Sequence, residues 1–498
     1  MKRRDYIYLA GLFLLSVFIS LQNVCSPISQ RLNYSDSSIY QYIGHLICEG
    51  KMPYLDAFDH KGPILYLINA LSLLGGIRGI WVIDAVLMIS YAYLCFIITK
   101  RFISSGWAFV VSAIAVTALV NTYWIGNTPD WYCTQATLFC MYIFVKYFQD
   151  GILRRREMFL IGVAVAFCFW QKFTTIGVIG CLCLGVLFAD YFSNRNNAVF
   201  RINCIAFCLS GFFTVSIPVL VWLWRGGALI KMFESYFLFS TSYGTSEVLM
   251  REKLTALSYF LQDPFVAAAL VSIVLFAFSI WLLKSTKFVF SEQSYSKNAG
   301  EDTTLMTISC ISLLLQAIVN AMAGRSYLQY KSILYPCALL EICIFLKFIL
   351  KLSDYRKMAM QALCFVAVCM LLFNINKAVD NQAVLTQHDT DVVAAIKEKT
   401  TDNFLIAVAS PDHCGLYLWT NTESATTYPY IQADMYGDME FWEEYNRQLQ
   451  ESSPTVIAWN NNWNKDKFLS AELLDNYDTA TYGRIDLLVK KENLEGGN

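Results

Sequence analysis

The sequence predicts an α-helical, polytopic membrane protein that carries a small α/β domain at its C-terminal end. Apolar residues make up 56% of the 498 positions, charged residues only 15%, and the mean hydropathy is +0.43. A soluble domain carries about 25% charged residues, so this composition excludes an ordinary soluble protein. The formal net charge of −1 identifies no partner, and nothing in the sequence points to nucleic acid.

About eleven apolar windows have a length and hydropathy typical of membrane-spanning helices. The fifth and sixth are short and are joined by a hairpin at Gln171 and Lys172. The windows cover residues 6–24, 80–99, 107–124, 132–147, 158–170, 176–192, 202–224, 265–283, 304–323, 333–350 and 358–373.

Basic residues predict the orientation of these windows. If the spans alternate, the basic residues of six loops fall on one face, which the positive-inside rule makes cytoplasmic. An odd number of spans then puts the N-terminus inside and the C-terminus outside. We therefore predict a multi-pass protein of the cytoplasmic membrane. The residues are Lys2, Arg3, Arg4, Lys100, Arg101, Arg154, Arg155, Arg156, Arg195, Arg201, Lys284, Lys287, Lys347, Lys351, Arg356 and Lys357.

Two domains follow from the change of composition along the chain. Residues 1–376 form the membrane domain, whose outer loop 25–79 contains an apolar piece, 63–76, that predicts an interfacial helix or a partial span. Residues 377–498 form the extracytoplasmic α/β domain. Its pattern predicts helices over 391–400, 439–452 and 467–477, and strands over 404–410, 454–460, 477–483 and 485–491. Because it shows no phosphate loop, nucleophile elbow or metal spacing, we expect it to cover or shape the outer face.

The outer loop 25–79 concentrates charge against an apolar run, which is costly in a membrane protein unless the charge has a function. Asp36 follows the first span and precedes an amphipathic stretch, 39–47, that is suited to the interface. Its carboxylate could take a proton from a substrate hydroxyl, or simply cap the following helix. We interpret this loop as the part of the protein that handles an anionic, lipid-linked substrate.

The motif LDAFDHKGPILYL places a lysine, a histidine and two acids at the membrane boundary. Lys61, with His60 beside it, is suited to a phosphate group, although a lone lysine could also mark the bilayer edge by snorkelling. Asp56 and Asp59 could orient the lysine, bind a sugar hydroxyl or hold a divalent ion. Too few further ligands are present to favour a metal, so no cofactor is predicted.

Further charged residues occur on the predicted outer face. Asp130, in GNTPDWY, is a second outer acid or a turn cap. Arg325 lies in a late outer turn, against the positive-inside bias, and arginine grips phosphate through two hydrogen bonds. Lys331 follows at helical spacing and could extend to the same headgroup. Asp84 and Glu341 lie inside spans, where helix packing is their expected role.

An acid in the first outer loop, followed by PYLDAFDHKGPILYLINAL, resembles the C-type (GT-C) glycosyltransferases that use polyprenyl-phosphate sugars. The most similar branch is the bacterial one related to protein mannosyltransferases and to the aminoarabinose transferase of lipid A. The resemblance covers the membrane part and is most specific in Asp36 and residues 53–63; GNTPD, WQKFTTIGV and GRSYLQYKSILYP fit more loosely. Relatives often carry a histidine where Gln329 stands, and many have an acid pair where Ser37 follows Asp36, which further disfavours a metal.

The resemblance implies an inverting transfer of a sugar from a polyprenyl phosphate to an acceptor hydroxyl. By this resemblance Asp36 would be the general base, Lys61 would lie at the carrier phosphate and Asp130 would be the second-loop acid. From their chemistry and position, we add Arg325, His60 and Lys331 to the residues that would bind the donor phosphate. We group Asp56, Asp59, Asp130, Tyr40 and Gln329 as substrate-contacting or supporting residues. The implied partners are the lipid-linked donor, a glycan, lipid or protein acceptor, and the bilayer.

Two other functions are compatible with a polytopic membrane protein. One is a polymerase or ligase that moves glycans from polyprenyl diphosphate, but such proteins usually have a large late outer loop with paired arginines, which this sequence lacks. The other is a lipid-linked-sugar transporter, which would need polar residues along the bundle interior and internal repeats. Here the polar residues concentrate at one face, so transfer is the favoured hypothesis.

Overall fold

The structure is a computed structural model of the chain. It describes residues 2–29, 36–123, 126–193, 196–241, 249–285, 292–350, 368–374, 390–399, 405–408, 413–431 and 439–491. The described residues form a bundle of apolar helices, with a small mixed sheet and its helices packed at one end. The predicted domain boundary at residues 376 and 377 lies outside the described residues.

Long apolar helices make up the membrane part, as the hydropathy pattern predicts. They alternate with shorter helices in the connections, and a π-helical turn over Phe233–Phe239 and 3-10 turns interrupt the regular α-helices. The α-helices are Arg3–Ser20, Asp36–Cys48, Pro63–Ser72, Gly79–Thr99, Ser105–Ala118, Val120–Tyr123, Pro129–Asp150, Arg155–Phe169, Ile176–Ser193, Ala198–Arg225, Leu229–Met232, Met250–Leu261, Pro264–Ser285, Glu292–Ala321 and Tyr335–Ile349. The 3-10 helices are Leu73–Gly75, Phe173–Thr175 and Leu328–Leu334.

The structure confirms a multi-pass membrane protein but not the expected number of eleven spans. Within the described ranges, six helices are long and apolar enough to cross a membrane. Ten of the eleven predicted windows fall on helices, whereas the window 358–373 lies mostly outside the described residues. The difference arises because several helices are short or carry charged residues, as Arg3–Ser20 and Arg155–Phe169 do.

The two ends of the bundle differ in chemistry. At one end, basic residues of the predicted cytoplasmic face pair with acids from neighbouring helix ends. At the other end lie the loop 49–62, the turn after Phe169, the π-helical segment and the sheet domain. The ion pairs of the first end are Arg101–Asp150 at 3.1 Å, Arg201–Asp190 at 3.1 Å, Lys347–Asp302 at 2.6 Å and Lys100–Asp5.

Two short helices organise the loop predicted to lie outside. Pro63–Ser72 spans about 15 Å at 1.5 Å per residue, which is too short to cross a bilayer, as expected for a partial span. The helix Asp36–Cys48 differs from expectation, because residues Ser37 to Gly44 are all buried rather than lying on the interface. The sheet domain covers it: the Tyr42 and Tyr417 rings stack with centroids 4.3 Å apart, and the Ser424 backbone N–H donates to the Tyr42 hydroxyl at 2.7 Å.

The C-terminal part is the expected α/β unit. Its strands are β1 Leu405–Val408, β2 Glu423–Ser424, β3 Val456–Asn460, β4 Tyr477–Tyr482 and β5 Ile485–Lys490, and its helices are Thr390–Lys399, Gly415–Thr420, Met439–Ser452, Lys465–Phe468 and Ala471–Leu474. The sheet has the order β2-β1-β3-β5-β4; β1 pairs in parallel with β2 and β3, while β5 pairs antiparallel with β3 and β4. Trp459 and Tyr445 are among the largest fully buried side chains of this unit.

One predicted element of this unit is wrong. The helix expected over 467–477 is two short helices, Lys465–Phe468 and Ala471–Leu474. Leu469 between them has an extended backbone, and the Ser470 side chain accepts a hydrogen bond from the Leu473 N–H at 3.3 Å. A serine that caps a new helix in this way competes with continuation of the preceding one. The helix Gly415–Thr420 and the two-residue strand β2 were not predicted.

Candidate functional site

The loop that carries the charged motif is locked to the hairpin after Phe169. The Gly62 N–H donates to the Gln171 carbonyl at 2.9 Å, and the Ile64 N–H donates to the Trp170 carbonyl at 3.2 Å. A Cβ atom on Gly62 would lie 2.0 Å from the Trp170 carbonyl oxygen. The Gly-Pro pair therefore has two roles: the glycine permits this backbone approach, and Pro63 begins the next helix.

Two tyrosines hold the polar end of this loop in place. The Tyr54 hydroxyl donates to the Lys61 carbonyl at 2.7 Å, and the Tyr66 hydroxyl donates to Asp59 Oδ2 at 2.7 Å. Both rings are buried. Buried hydroxyls with good partners restrict the orientations open to the groups they bind, so Asp59 and Lys61 are held in one arrangement.

Asp59, His60 and Lys61 form a continuous chain of polar contacts. His60 Nδ1 lies 3.4 Å from Asp59 Oδ1, and His60 Nε2 lies 2.5 Å from Lys61 Nζ. The side chain of Asp59 is 2% exposed and that of His60 11%. Because an ammonium can only donate, the short contact requires His60 Nε2 to accept, which places the imidazole proton on Nδ1, toward the carboxylate.

Burial and charge adjust the protonation of these three groups. Burial raises the pKa of the Asp59 carboxyl, but His60 and Lys61 outweigh this effect, so that pKa lies well below its usual range. Burial, together with the Lys61 charge, lowers the pKa of His60. Burial also lowers the pKa of Lys61, while Asp59 and Asp36 oppose this change. The arrangement favours an ionised Asp59, a neutral His60 and a Lys61 ammonium that is more acidic than an exposed one.

Asp130 pairs with Lys172, a hairpin residue for which the sequence predicts no role in the site. Both carboxylate oxygens of Asp130 accept from Lys172 Nζ at 3.0 Å, and the two side chains are 2% and 13% exposed. Lys172 Nζ also lies 3.4 Å from the centre of the Tyr330 ring. Lys172 stands in the outer hairpin, where a basic residue runs against the positive-inside bias, and that signal could have identified it.

Asp36 lies in the first turn of its helix, half-buried, with the Tyr40 hydroxyl 3.4 Å from Oδ2. The next residue, Ser37, is held by the Asn127 side-chain amide, which donates to its hydroxyl at 3.0 Å. The Asn127 backbone N–H in turn donates to Asp84 Oδ2 at 2.9 Å. Asp84 thus acts as the packing partner expected for an acid inside a span, and it ties the start of the Asp36 helix to the GNTPD turn.

The structure brings some predicted site residues together. Asp36, Asp59, Asp130 and Lys172 all lie near enough to Lys61 for their charges to act on it. Arg325 is half-buried and its charge acts on Tyr330, whose ring contacts Lys172. Three outer segments, from the first loop, the GNTPD turn and the WQKF hairpin, therefore converge with the turn at Arg325.

Other predicted residues lie differently. Asp56 is exposed and its carboxylate accepts the Met52 N–H at 2.6 Å, so it caps a turn and does not join the buried contacts. Lys331 does not extend outward as expected: it is buried, 3.9 Å from Asp263 Oδ2 and 3.7 Å from the Tyr259 ring centre. The Gln329 side chain is partly exposed, and the described contact of this residue is its carbonyl, which accepts from the Ser332 hydroxyl at 2.9 Å.

This arrangement of charges can perform two chemical tasks. Lys61, Lys172 and Arg325 supply positive charge where an anionic headgroup would enter from the bilayer. Asp36 supplies a partly accessible carboxylate that can accept a proton. An anion bound beside Lys61 would also restore the stability of its ammonium form, since an opposite charge favours the charged state.

Comparisons of the sequence and the structure give different results. No protein-family model and no curated protein sequence matches the chain. Among solved structures, ArnT from Cupriavidus metallidurans bound to undecaprenyl phosphate matches with a TM-score of 0.62 and 11% identity over all of both chains. ArnT in the apo state matches with a TM-score of 0.60 and 12% identity over 99% of each chain. The Archaeoglobus fulgidus oligosaccharyltransferase in complex with Zn and sulfate matches with a TM-score of 0.50 and 10% identity, covering 90% of this chain and 67% of that one.

These matches confirm the fold class predicted from the sequence. The chain is a membrane protein with the GT-C fold, shared along its whole length with ArnT. At 11% identity the similarity lies in the arrangement of helices and of the C-terminal unit rather than in shared residues.

Proposed function

We propose that this protein is an inverting glycosyltransferase that moves a sugar from a polyprenyl-phosphate carrier to an acceptor hydroxyl. One observation carries the proposal: on a GT-C fold, the neighbouring rings of Tyr40 and Tyr66, 6.4 Å apart, link Asp36 to the buried Asp59–His60–Lys61 chain. The charges of Asp36 and of the Asp130–Lys172 pair also act on Lys61. ArnT, which has this fold, is known with undecaprenyl phosphate bound, and this supports a polyprenyl phosphate as the carrier. The transfer would be a step in the assembly or modification of a cell-surface glycan.

In the proposed reaction Asp36 is the general base. The acceptor hydroxyl attacks the anomeric carbon from the face opposite the phosphate, and its proton passes to the Asp36 carboxylate. Asp36 is half-buried and lies within 3.4 Å of the Tyr40 hydroxyl, which supports a fixed orientation without full enclosure. A base in this position contributes about 100-fold to 10,000-fold to the rate of such a step.

The departing phosphate takes the bonding electrons and needs cations to receive its charge. Lys61 and Arg325 are the groups proposed to contact it, and Lys172 adds positive charge while it holds Asp130. Lysine and arginine side chains thus provide the electrostatic stabilisation, and the reaction is formulated without a metal.

The orientation in the membrane is part of the proposal. The end with the paired basic residues faces the cytoplasm, and the Asp36 site and the C-terminal domain face the outside of the cytoplasmic membrane. The positive-inside distribution supports this orientation.

The test is transfer by membranes or purified protein supplied with polyprenyl-phosphate-linked sugar. Asp36→Asn keeps the size of the side chain and removes its basicity, so we expect transfer to fall about 100-fold or more. Glu49→Gln is the control, because Glu49 is an exposed acid just beyond the other end of the same helix. Near wild-type transfer by Asp36→Asn would refute the assignment of the base. Transfer only from polyprenyl diphosphate would instead favour the ligase alternative.

A further inference from the structure

The C-terminal domain contacts the charged loop directly. The Phe58 N–H donates to the Thr427 carbonyl at 2.7 Å, and the Phe58 ring packs on Tyr428 with centroids 5.7 Å apart. Two residues further on, the Tyr430 hydroxyl donates to Asp59 Oδ1 at 2.9 Å. Tyr430 and Asp59 are 2% and 1% exposed. A side chain 371 positions away in sequence therefore reaches the start of the Asp59–His60–Lys61 chain.

Tyr430 and His60 share one oxygen of Asp59. Oδ2 receives the Tyr66 hydroxyl at 2.7 Å, whereas Oδ1 receives the Tyr430 hydroxyl at 2.9 Å and lies 3.4 Å from His60 Nδ1. The shorter contact is with Tyr430. Although the oxygen has lone pairs for both donors, the Tyr430 hydrogen bond reduces the negative charge on Oδ1, and this limits how strongly Asp59 attracts the imidazole proton.

The strength of the Asp59–His60 contact matters because of what lies on the other side of the ring. His60 Nε2 accepts from Lys61 Nζ at 2.5 Å, which is possible only while the imidazole is neutral. An imidazolium would present a second N–H to the ammonium and displace it. Among the described residues, the charges of Asp36, Asp130 and Lys172 also act on His60 or Lys61. On the π-helical side, the Ser240 hydroxyl donates to the His60 carbonyl and the Phe239 ring packs on the imidazole.

We propose that Tyr430 is a positioning residue of the transferase: by occupying Asp59 Oδ1 it keeps His60 neutral and so keeps Lys61 placed for the carrier phosphate. This inference rests on the proposed function for its biological meaning. It makes the C-terminal domain a working part of the site rather than a cover over it.

A Tyr430→Phe variant separates the hydroxyl from the ring packing. Without the hydroxyl, Asp59 Oδ1 is free to bind the His60 Nδ1–H more strongly, and a stronger carboxylate contact favours the imidazolium. In the wild type, burial and the Lys61 charge lower the pKa of His60. In the variant that pKa rises, by about half a pH unit for the loss of one hydroxyl hydrogen bond to the neighbouring carboxylate. His60 then becomes charged, and Lys61 is displaced, at a higher pH than in the wild type.

The experiment measures binding of undecaprenyl phosphate to the full-length protein in detergent between pH 5 and pH 8. We expect the affinity to decrease as the pH is lowered, and the midpoint of this decrease to lie about half a pH unit higher in Tyr430→Phe than in the wild type. The affinity near pH 8 should change little. Tyr428→Phe is the matched control, since it removes a nearby hydroxyl in the same segment while its ring still packs on Phe58 and Phe441. It should follow the wild-type profile.

The outcomes separate this inference from the proposed function. The role of Tyr430 would be overturned if the decrease of affinity at low pH had the same midpoint in Tyr430→Phe as in the wild type, or if Tyr428→Phe shifted that midpoint equally. Either result would count even if sugar transfer were demonstrated. Uniform weakening at every pH would also overturn it, because that is the result of a purely structural defect. If the wild type binds the phosphate with the expected shift in the variant but transfers no sugar, the positioning role stands and the proposed function fails. Wild-type protein that binds no carrier phosphate at any pH would overturn both.

Discussion

Lys172 illustrates how a single side chain can matter although the sequence predicts no role for it in the site. It contacts Asp130 through both carboxylate oxygens at 3.0 Å and lies 3.4 Å from the centre of the Tyr330 ring. The pair is nearly enclosed, so each charge depends on the other for compensation. Breaking a buried pair from one side leaves an uncompensated charge, which costs far more than the pair itself contributes.

For this ion pair we predict that a single substitution destabilises the protein much more than the double substitution that removes both charges. Lys172→Met removes the charge but retains the length of the side chain, and it should destabilise the protein by about 3–5 kcal/mol because Asp130 is left buried and unpaired. Adding Asp130→Asn should recover much of this loss. Thermal unfolding in detergent gives the comparison. A double variant no more stable than Lys172→Met would contradict the pairing.

The sequence could indicate the polar cluster of the first loop because its residues are neighbours in one short motif; their role in a site stays a prediction. Lys61, His60 and Asp59 stand together in sequence, whereas Lys172 and Tyr430 reach the site from segments that are distant in the chain. Lys331 was assigned to the phosphate on the assumption of α-helical spacing. The segment Leu328–Leu334 is a 3-10 helix instead, with three residues per turn, and it directs Lys331 to Asp263.

At the scale of elements, the site depends on the close contact between the charged loop and the WQKF hairpin. Two backbone hydrogen bonds join them, at 2.9 Å from Gly62 and 3.2 Å from Ile64. The loop carries Lys61 and the hairpin carries Lys172, so this contact sets the separation of the two cations. The sequence indicates a turn at Gly-Pro but not the element that packs against it, because that approach is a tertiary contact.

Gly62→Ala should disturb this contact specifically. The added methyl group would lie 2.0 Å from the Trp170 carbonyl oxygen, so the loop or the hairpin must shift, at a cost of about 1–3 kcal/mol. We expect a lower melting temperature and weaker binding of undecaprenyl phosphate. Gly75→Ala is the control, since a Cβ atom there meets nothing within 4 Å. Equal behaviour of the two variants would show that the close approach is unimportant.

At the scale of the whole molecule, charge divides the protein into two faces. Paired basic residues lie at one end of the bundle, and the Asp36 site and the C-terminal domain lie at the other. Lys51 and Glu423 form an ion pair at 2.5 Å, and Arg78 lies 5.2 Å from the Trp419 ring, so several contacts besides Tyr430 fasten the domain to the membrane part. Because these contacts hold the C-terminal domain against the membrane part, the Asp36 helix is buried rather than interfacial.

The proposed orientation predicts the behaviour of reporter fusions. Alkaline phosphatase, which is active only outside the cytoplasm, should be active when fused at the C-terminus and inactive when fused after Gly151, at the end with the basic residues. A fluorescent protein that folds only in the cytoplasm should give the opposite pattern. The reverse result for either fusion pair would remove the Asp36 site from the outer face and with it the proposed use of the carrier.

The sequence by itself determined the class of protein, the GT-C resemblance and the general plan of the C-terminal unit, and it predicted the first-loop residues of the site. Those properties follow from composition, hydropathy and short motifs, all of which act over neighbouring residues. Only the tertiary structure decided that Lys172 pairs with Asp130, that Lys331 turns to Asp263 and that Tyr430 reaches Asp59. These contacts join segments far apart in the chain, and a partner chosen by packing leaves no local pattern from which it could be predicted.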